Sequence, residues 1–189
     1  MTTIEFSGEE KKLILQIARE SGRAEIERKK QKDYSEICTT PNLTMIPGGV
    51  FVTFKIKGEL RGCIGCFSPE KPVYELIQEY AVCACNDSRF DRMTVEEYDK
   101  TTISVSCLSP SVDTKDPLKE VIAGKHGIRV QYGYYRGTYL PQVATEQGWD
   151  TKTFCTHCAY HKAGISTSVD VFNNPKVKWQ IYTATIVSE

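Results

Sequence analysis

The sequence predicts an α+β fold, and three observations carry that prediction. Some stretches alternate apolar and polar residues with period 2, while others repeat apolar residues at helical spacing. Capping boxes and prolines mark where the helical stretches begin. The order of helices and paired β runs in the first half recurs in the second, with no Pro/Gly linker between them. One domain over residues 1–189, with its core at about 7–187, is therefore expected.

The first helix opens in FSGEEKKLILQIARE, where Ser7 and Glu10 form a capping box and Leu13, Ile14, Ile17 and Ala18 make an apolar stripe. The ESG at 20–22 is expected to end or kink it. RAEIERKKQKDY is strongly basic with few apolar anchors and reads as a solvated helical extension or a loop. Val50, Val52, Phe54 and Ile56 then alternate with Phe51, Thr53 and Lys55, KGE turns the chain, and Leu60 begins the return strand of a hairpin. A helix follows with Pro72 in its first turn and Val73, Leu76, Ile77 and Tyr80 on one stripe. Thr94 and Glu97 form a second capping box on a short helix, and TTISVSCLSP is a strand that stops at Pro110.

In the second half, PLKEVIAG is a short helix. HGIRVQYGYYRGTYLPQ is a second pair of β runs, broken at Gly133 and Gly137. WDTKTFCTHCAYHKAGI is a helix capped by Asp150 or Thr151 and closed by Gly164, with Trp149 packed against it. VKWQIYTATIV is a final alternating strand.

Composition narrows the function classes. The 24 basic and 24 acidic residues cancel, so bulk attraction to nucleic acid or an anionic membrane is not expected. No apolar run approaches the roughly 20 residues that span a bilayer. The first residues, MTTIEFSGEEKK, lack a basic segment followed by an apolar one, so no secretory signal is read and an intracellular location, cytoplasmic or nuclear, is expected. The eight cysteines are then expected as mainly free thiols, with Cys83 and Cys107 as small core residues.

Six strings stand in order: LRGCIGCF, NDSRFDRMTVEE, CLSP, GKHGIRV, GTYLPQVATEQGWD and KAGI. Together they resemble the AMMECR-type domain, named after the Alport syndrome, midface hypoplasia and elliptocytosis chromosomal region. The resemblance covers about Ser7 to Val187. It implies two related β/α halves around a single mixed, barrel-like β-sheet flanked by helices. It assigns no reaction and no cofactor, and it hints at a functional link to Memo-type and radical-SAM proteins. Leu60 to Gly65 match the family string fully, whereas Cys66 replaces a small polar residue. Asp87, Arg89 and Phe90 match the family's Asp-x-Arg-Phe, and DRM stands where a proline is common.

The central string admits several chemistries. Cys63 and Cys66 have zinc-like spacing, and so do Cys155 and Cys158, with His157 between them and His161 beyond. On a strand, however, i and i+3 face opposite ways unless Gly65 bends the chain, and the family pattern lacks the second cysteine of the first pair, so no metal site is expected in the chain. Cys63 is the candidate nucleophile, because Arg61 at i−2 is expected on its face, where a cation favours the thiolate. A buried structural cysteine is the plainer alternative. Arg61, Gly62, Gly65, Asp87, Arg89 and His126 are the candidate ligand-binding residues. Arg61 needs an anionic partner, while Asp87 and Arg89 also suit a structural ion pair. Arg136 and Tyr139 are weaker candidates. The expected partner is a small anionic ligand or a protein; a non-catalytic adaptor that binds a protein or RNA partner through the same surface is the competing reading, and nucleic acid is the less favoured partner.

Overall fold

The computed structural model describes residues 3–67 and 69–189. The chain forms two compact units. The N-terminal unit is Ile4–Leu108 with Thr185–Glu189, and the C-terminal unit is Ser109–Ala184 with Thr3.

The N-terminal unit begins with α1 (Gly8–Ile26). Its capping box forms as read: Ser7 Oγ accepts from Glu10 N–H at 3.2 Å, and Glu10 Oε2 accepts from Ser7 N–H at 2.7 Å. Gly22 neither ends nor kinks the helix. It is there because Tyr98 lies against it: an added Cβ would sit 2.5 Å from the Tyr98 hydroxyl, which donates to Arg19 O at 2.7 Å. After α2 (Pro41–Thr44), β1 (Gly49–Ile56) and β2 (Glu59–Phe67) form an antiparallel hairpin. Lys57 and Gly58 have φ of 51° and 86°, the two left-handed residues that a type I′ turn requires.

α3 (Val73–Cys85) is capped at Pro72 and packs on β1, β2 and α1. α4 (Val95–Tyr98) carries its capping box, and β3 (Thr101–Leu108) pairs with β1, placing β1 between β2 and β3. Period-2 alternation sends Val50, Val52 and Phe54 into a core shared with Ile14, Ile17, Leu76, Ile77 and Ile103.

In the C-terminal unit, β4 (Val112–Thr114) and β5 (His126–Tyr132) both pair antiparallel with β7 (Lys178–Ser188), and β5 pairs with β6 (Tyr135–Tyr139). The short α5 (Pro117–Glu120) lies between β4 and β5. Gly133, with φ 58°, is the first central residue of the β5–β6 turn. Gly137 does not break the ladder. It sits inside β6, where an added Cβ would lie 2.8 Å from both Ala163 N and Cys158 O. PQVATEQ forms a helix absent from the sequence reading, α6 (Pro141–Gln147), with Pro141 in its first turn and Gly148 at φ 64° after it. α7 (Thr151–His157) is capped by Asp150, which accepts from Thr153 N–H at 2.7 Å. It runs on as a π-helical turn over Cys158–Lys162, and Gly164 follows with φ 73°. Phe154, Cys155, Cys158 and Ala159 join Ile128, Val130, Trp179 and Ile181 in this unit's core.

The fold is thus α+β, with antiparallel ladders flanked by helices. Among the described residues no helix is long and apolar enough to cross a membrane.

Candidate functional site

The opening of β2 departs from a regular strand. Leu60 opposes Lys55 and Gly62 opposes Phe54, so Arg61 has no cross-strand partner: it is the extra residue of a β-bulge. The i, i+2 argument for Arg61 and Cys63 assumes an uninterrupted pleat, and the bulge interrupts it. Arg61 reaches the start of α4. Its Nε donates to Glu97 Oε1 at 3.2 Å, and its Nη2 donates to Glu97 Oε2 at 2.9 Å and to Asp91 O at 2.8 Å. Its Cζ lies 5.6 Å from the Phe90 ring centre, and the side chain is only 12% exposed. The anionic partner that Arg61 needs therefore comes from within the chain. That guanidinium holds the Glu97 carboxyl below its usual range.

Asp87 and Arg89 act together on the outer side of β2. Asp87 Oδ2 accepts from the Cys63 N–H at 2.9 Å, and Arg89 Nη2 donates to the Cys63 carbonyl at 3.0 Å. Asp87 Oδ1 accepts from the Arg89 N–H at 3.1 Å and from its Nε at 3.0 Å, and Oδ2 accepts from Nη2 at 2.6 Å. One ion pair thus occupies both backbone groups that the outermost strand would leave open at Cys63. Hydrogen bonds from Arg89, and then from the two backbone amides, hold the buried Asp87 carboxyl well below the usual carboxylate range.

The Cys63 side chain is half-buried, opposite Thr53, whose hydroxyl donates to Sγ at 3.1 Å. Thr53 also opposes Ser104, and the next row joins Gly65, Phe51 and Ser106. Phe51 covers Gly65: an added Cβ there would sit 2.5 Å from its ring and 2.2 Å from Val50 O. Phe67 meets Phe51 edge to face at 5.0 Å. Arg89, whose Nη2 donates to the Cys63 carbonyl, is the cation at Cys63, whereas the Arg61 guanidinium turns to Glu97.

Cys66 opposes Val50 and packs against the N-terminal core. Cys63 and Cys66 therefore lie on opposite faces, as strand geometry requires. All eight cysteines are free thiols, and Cys38, Cys85, Cys107, Cys155 and Cys158 are buried. Burial pushes the Cys107 and Cys155 thiols up to about 12. Among the described residues, no three His, Cys, Asp or Glu side chains cluster as metal ligands.

His126 belongs to the C-terminal unit and is buried, and its Nδ1 accepts from the Ile122 N–H at 3.2 Å. Burial lowers its pKa first of all. Arg136 is exposed on β6, while Tyr139 stacks on Phe154 at 5.8 Å. Sequence reasoning missed Glu97 as the partner of Arg61 and Thr53 as the partner of the thiol. Glu97 carried only its capping signal, and no local pattern links it to a strand 36 positions earlier.

The family model for AMMECR1 matches residues 15–187. The chain belongs to the AMMECR1 family. A protein of Methanothermobacter thermautotrophicus is 40% identical over 148 residues, covering 75% of each chain. A protein of Thermofilum pendens is 33% identical over 176 residues, 85% of this chain and 81% of that one. The crystal structure of an uncharacterised protein from Pyrococcus horikoshii superposes with a TM-score of 0.83 at 30% identity, covering 96% of this chain and 92% of that one. The AMMECR1 match includes the bulged strand, the Asp87–Arg89 pair and the α4 cap, so the whole constellation lies inside the family domain.

Proposed function

We propose that this AMMECR1-family chain is a non-catalytic adaptor that binds a protein partner through the β1–β2 face bearing Phe51, Thr53, Cys63, Gly65 and Phe67. One observation carries the reading: the charged side chains of the motif are already engaged within the N-terminal unit. Arg61 braces α4, and Asp87 with Arg89 closes the strand beside Cys63. A nucleophilic thiol needs a base or a dedicated cation, whereas the thiol here meets a threonine hydroxyl. A braced, half-buried face of aromatic and small polar residues suits the centre of a protein interface. The Memo-type and radical-SAM proteins linked to the family by resemblance are the first partners to assay.

One observation favours the second reading, a small anionic ligand or thiol-dependent chemistry at Cys63. The Arg89 side chain is 56% exposed beside that thiol, so an incoming anion would meet Arg89.

A photo-crosslinking residue at Leu60, which is 40% exposed, separates the two. The adaptor reading expects one defined protein adduct that disappears in Thr53→Arg with the fold intact. A metabolite that co-purifies at one per chain and is lost in Arg89→Gln would replace it with the ligand reading.

A further inference from the structure

The C-terminal unit carries a column of rings that the β1–β2 face does not use. Trp149 stacks on His157 with centroids 4.3 Å apart, and His157 lies 4.6 Å from His161 at an interplanar angle of 34°. The backbone sets this spacing. In an α-helix, residues i and i+4 are offset by about 40° around the axis. Here the chain widens after His157 into the π turn Cys158–Lys162, closed by Ala163 N–H to Cys158 O at 2.9 Å. The wider turn reduces the offset and brings the second imidazole alongside the first.

Neither imidazole forms a hydrogen bond to any described residue. A structural histidine normally uses at least one ring nitrogen, as His126 does with the Ile122 N–H. His157 is half-buried and His161 is exposed, so water and solutes reach the pair. The neighbouring cation, Lys162, has its Nζ over the Tyr139 ring at 5.9 Å.

We propose that His157 and His161 chelate a divalent transition-metal ion of the nickel, copper or zinc class, with water completing the coordination. Imidazole suits these metals. With metal–nitrogen bonds of about 2.0–2.1 Å, the metal lies roughly 3 Å from each ring centre. The 4.6 Å between the ring centres lies within the reach of two such arms. No third His, Cys, Asp or Glu joins the pair among the described residues, so the site is an open, two-ligand one. Cys155 and Cys158 face the core and take no part.

The chain has three histidines, and the third, His126, is buried, which makes the assignment direct to test. Trp149 is a built-in reporter, while Trp179 is only 4% exposed, with its Nε1 donating to Val171 O. Tag-free protein titrated with nickel(II) should lose part of its tryptophan fluorescence saturably. Apparent affinity should fall at least tenfold in His161→Asn and equally in His157→Asn, with unchanged circular dichroism. Since His161 is exposed, its replacement leaves the packing intact. Absence of saturable quenching in the wild type overturns the chelate. Quenching with wild-type affinity in both single-histidine variants also overturns it, because the metal would then sit elsewhere, for example on the half-buried thiols.

Discussion

Gly62 leaves no room for a side chain: an added Cβ would lie 2.1 Å from the Ala84 carbonyl, so α3 rests directly on β2 at this point. That close approach delivers the end of α3, and Asp87 just beyond it, to the Cys63 backbone. Asp87 then controls a stability window. Its folded pKa is depressed below the unfolded value of about 3.9, so its contribution is complete above that value and is lost as pH falls below it. Asp87→Asn should cost about 1.5–3 kcal/mol at pH 7, the range for hydrogen bonds to a charged group. Urea unfolding of the two proteins should show the gap narrowing only below about pH 4. A gap independent of pH would mean that the charge of Asp87 is not what stabilises the loop. The Asp87–Arg89 pair was legible as an ion pair because the two residues are neighbours in sequence. That it closes a strand edge was not, because its backbone partner lies 24 positions earlier.

At the level of elements, α4 is a single turn with two tasks. Its capping box satisfies its own first amides: Thr94 Oγ1 accepts from Glu97 N–H at 3.2 Å, and Glu97 Oε2 accepts from Thr94 N–H at 3.0 Å. The same Glu97 carboxylate holds Arg61. Thr94→Ala should therefore cost about 1 kcal/mol, an ordinary cap loss. Glu97→Ala should cost more, about 1–3 kcal/mol, because it also leaves a largely buried guanidinium without its anion. Adding Arg61→Met to Glu97→Ala should recover part of the loss. Equal costs for the two single variants, measured by urea denaturation, would show that the Arg61 contact contributes nothing. Both capping boxes were readable because a cap is local in sequence. The bulge was not, because a register shift depends on how two strands pair.

Across the whole molecule, the last residues join the unit built from the first half of the chain. Thr185–Glu189 belong to the N-terminal unit, where Val187 is 4% exposed in the core. Glu189 accepts from the Ile103 N–H at 3.0 Å and pairs with Arg19, which in turn donates to Thr101 O at 2.8 Å. Removing Thr185–Glu189 should lower stability by about 2 kcal/mol or more, since a buried aliphatic side chain is lost together with its strand. Faster hydrogen exchange at the β3 amides, Ile103 first, is the expected readout. Unchanged protection there would show that the N-terminal unit stands without its last strand. The family match spans residues 15–187 and so covers residues of both units, each of which has its own core.

The sequence by itself determined the α+β class, both capping boxes, the β1–β2 hairpin and the family. Each depends on periodicity, on residues a few positions apart, or on an ordered set of strings. It also placed Cys63 and Cys66 on opposite faces, because strand alternation is a property of the backbone. Only the tertiary structure decided what the motif residues do. Gly22 and Gly137 signal breaks in a linear reading and Gly62 reads as a ligand-binding position, yet each is a point of close approach, to Tyr98, to the Cys158 turn and to the Ala84 carbonyl respectively. Arg61 read as a residue awaiting a ligand because its partner Glu97 lies 36 positions away, and Cys63 gained Thr53 as its partner only when the two strands paired. Local patterns specify elements, but the partner of a charge or a thiol is fixed only when packing brings distant segments together.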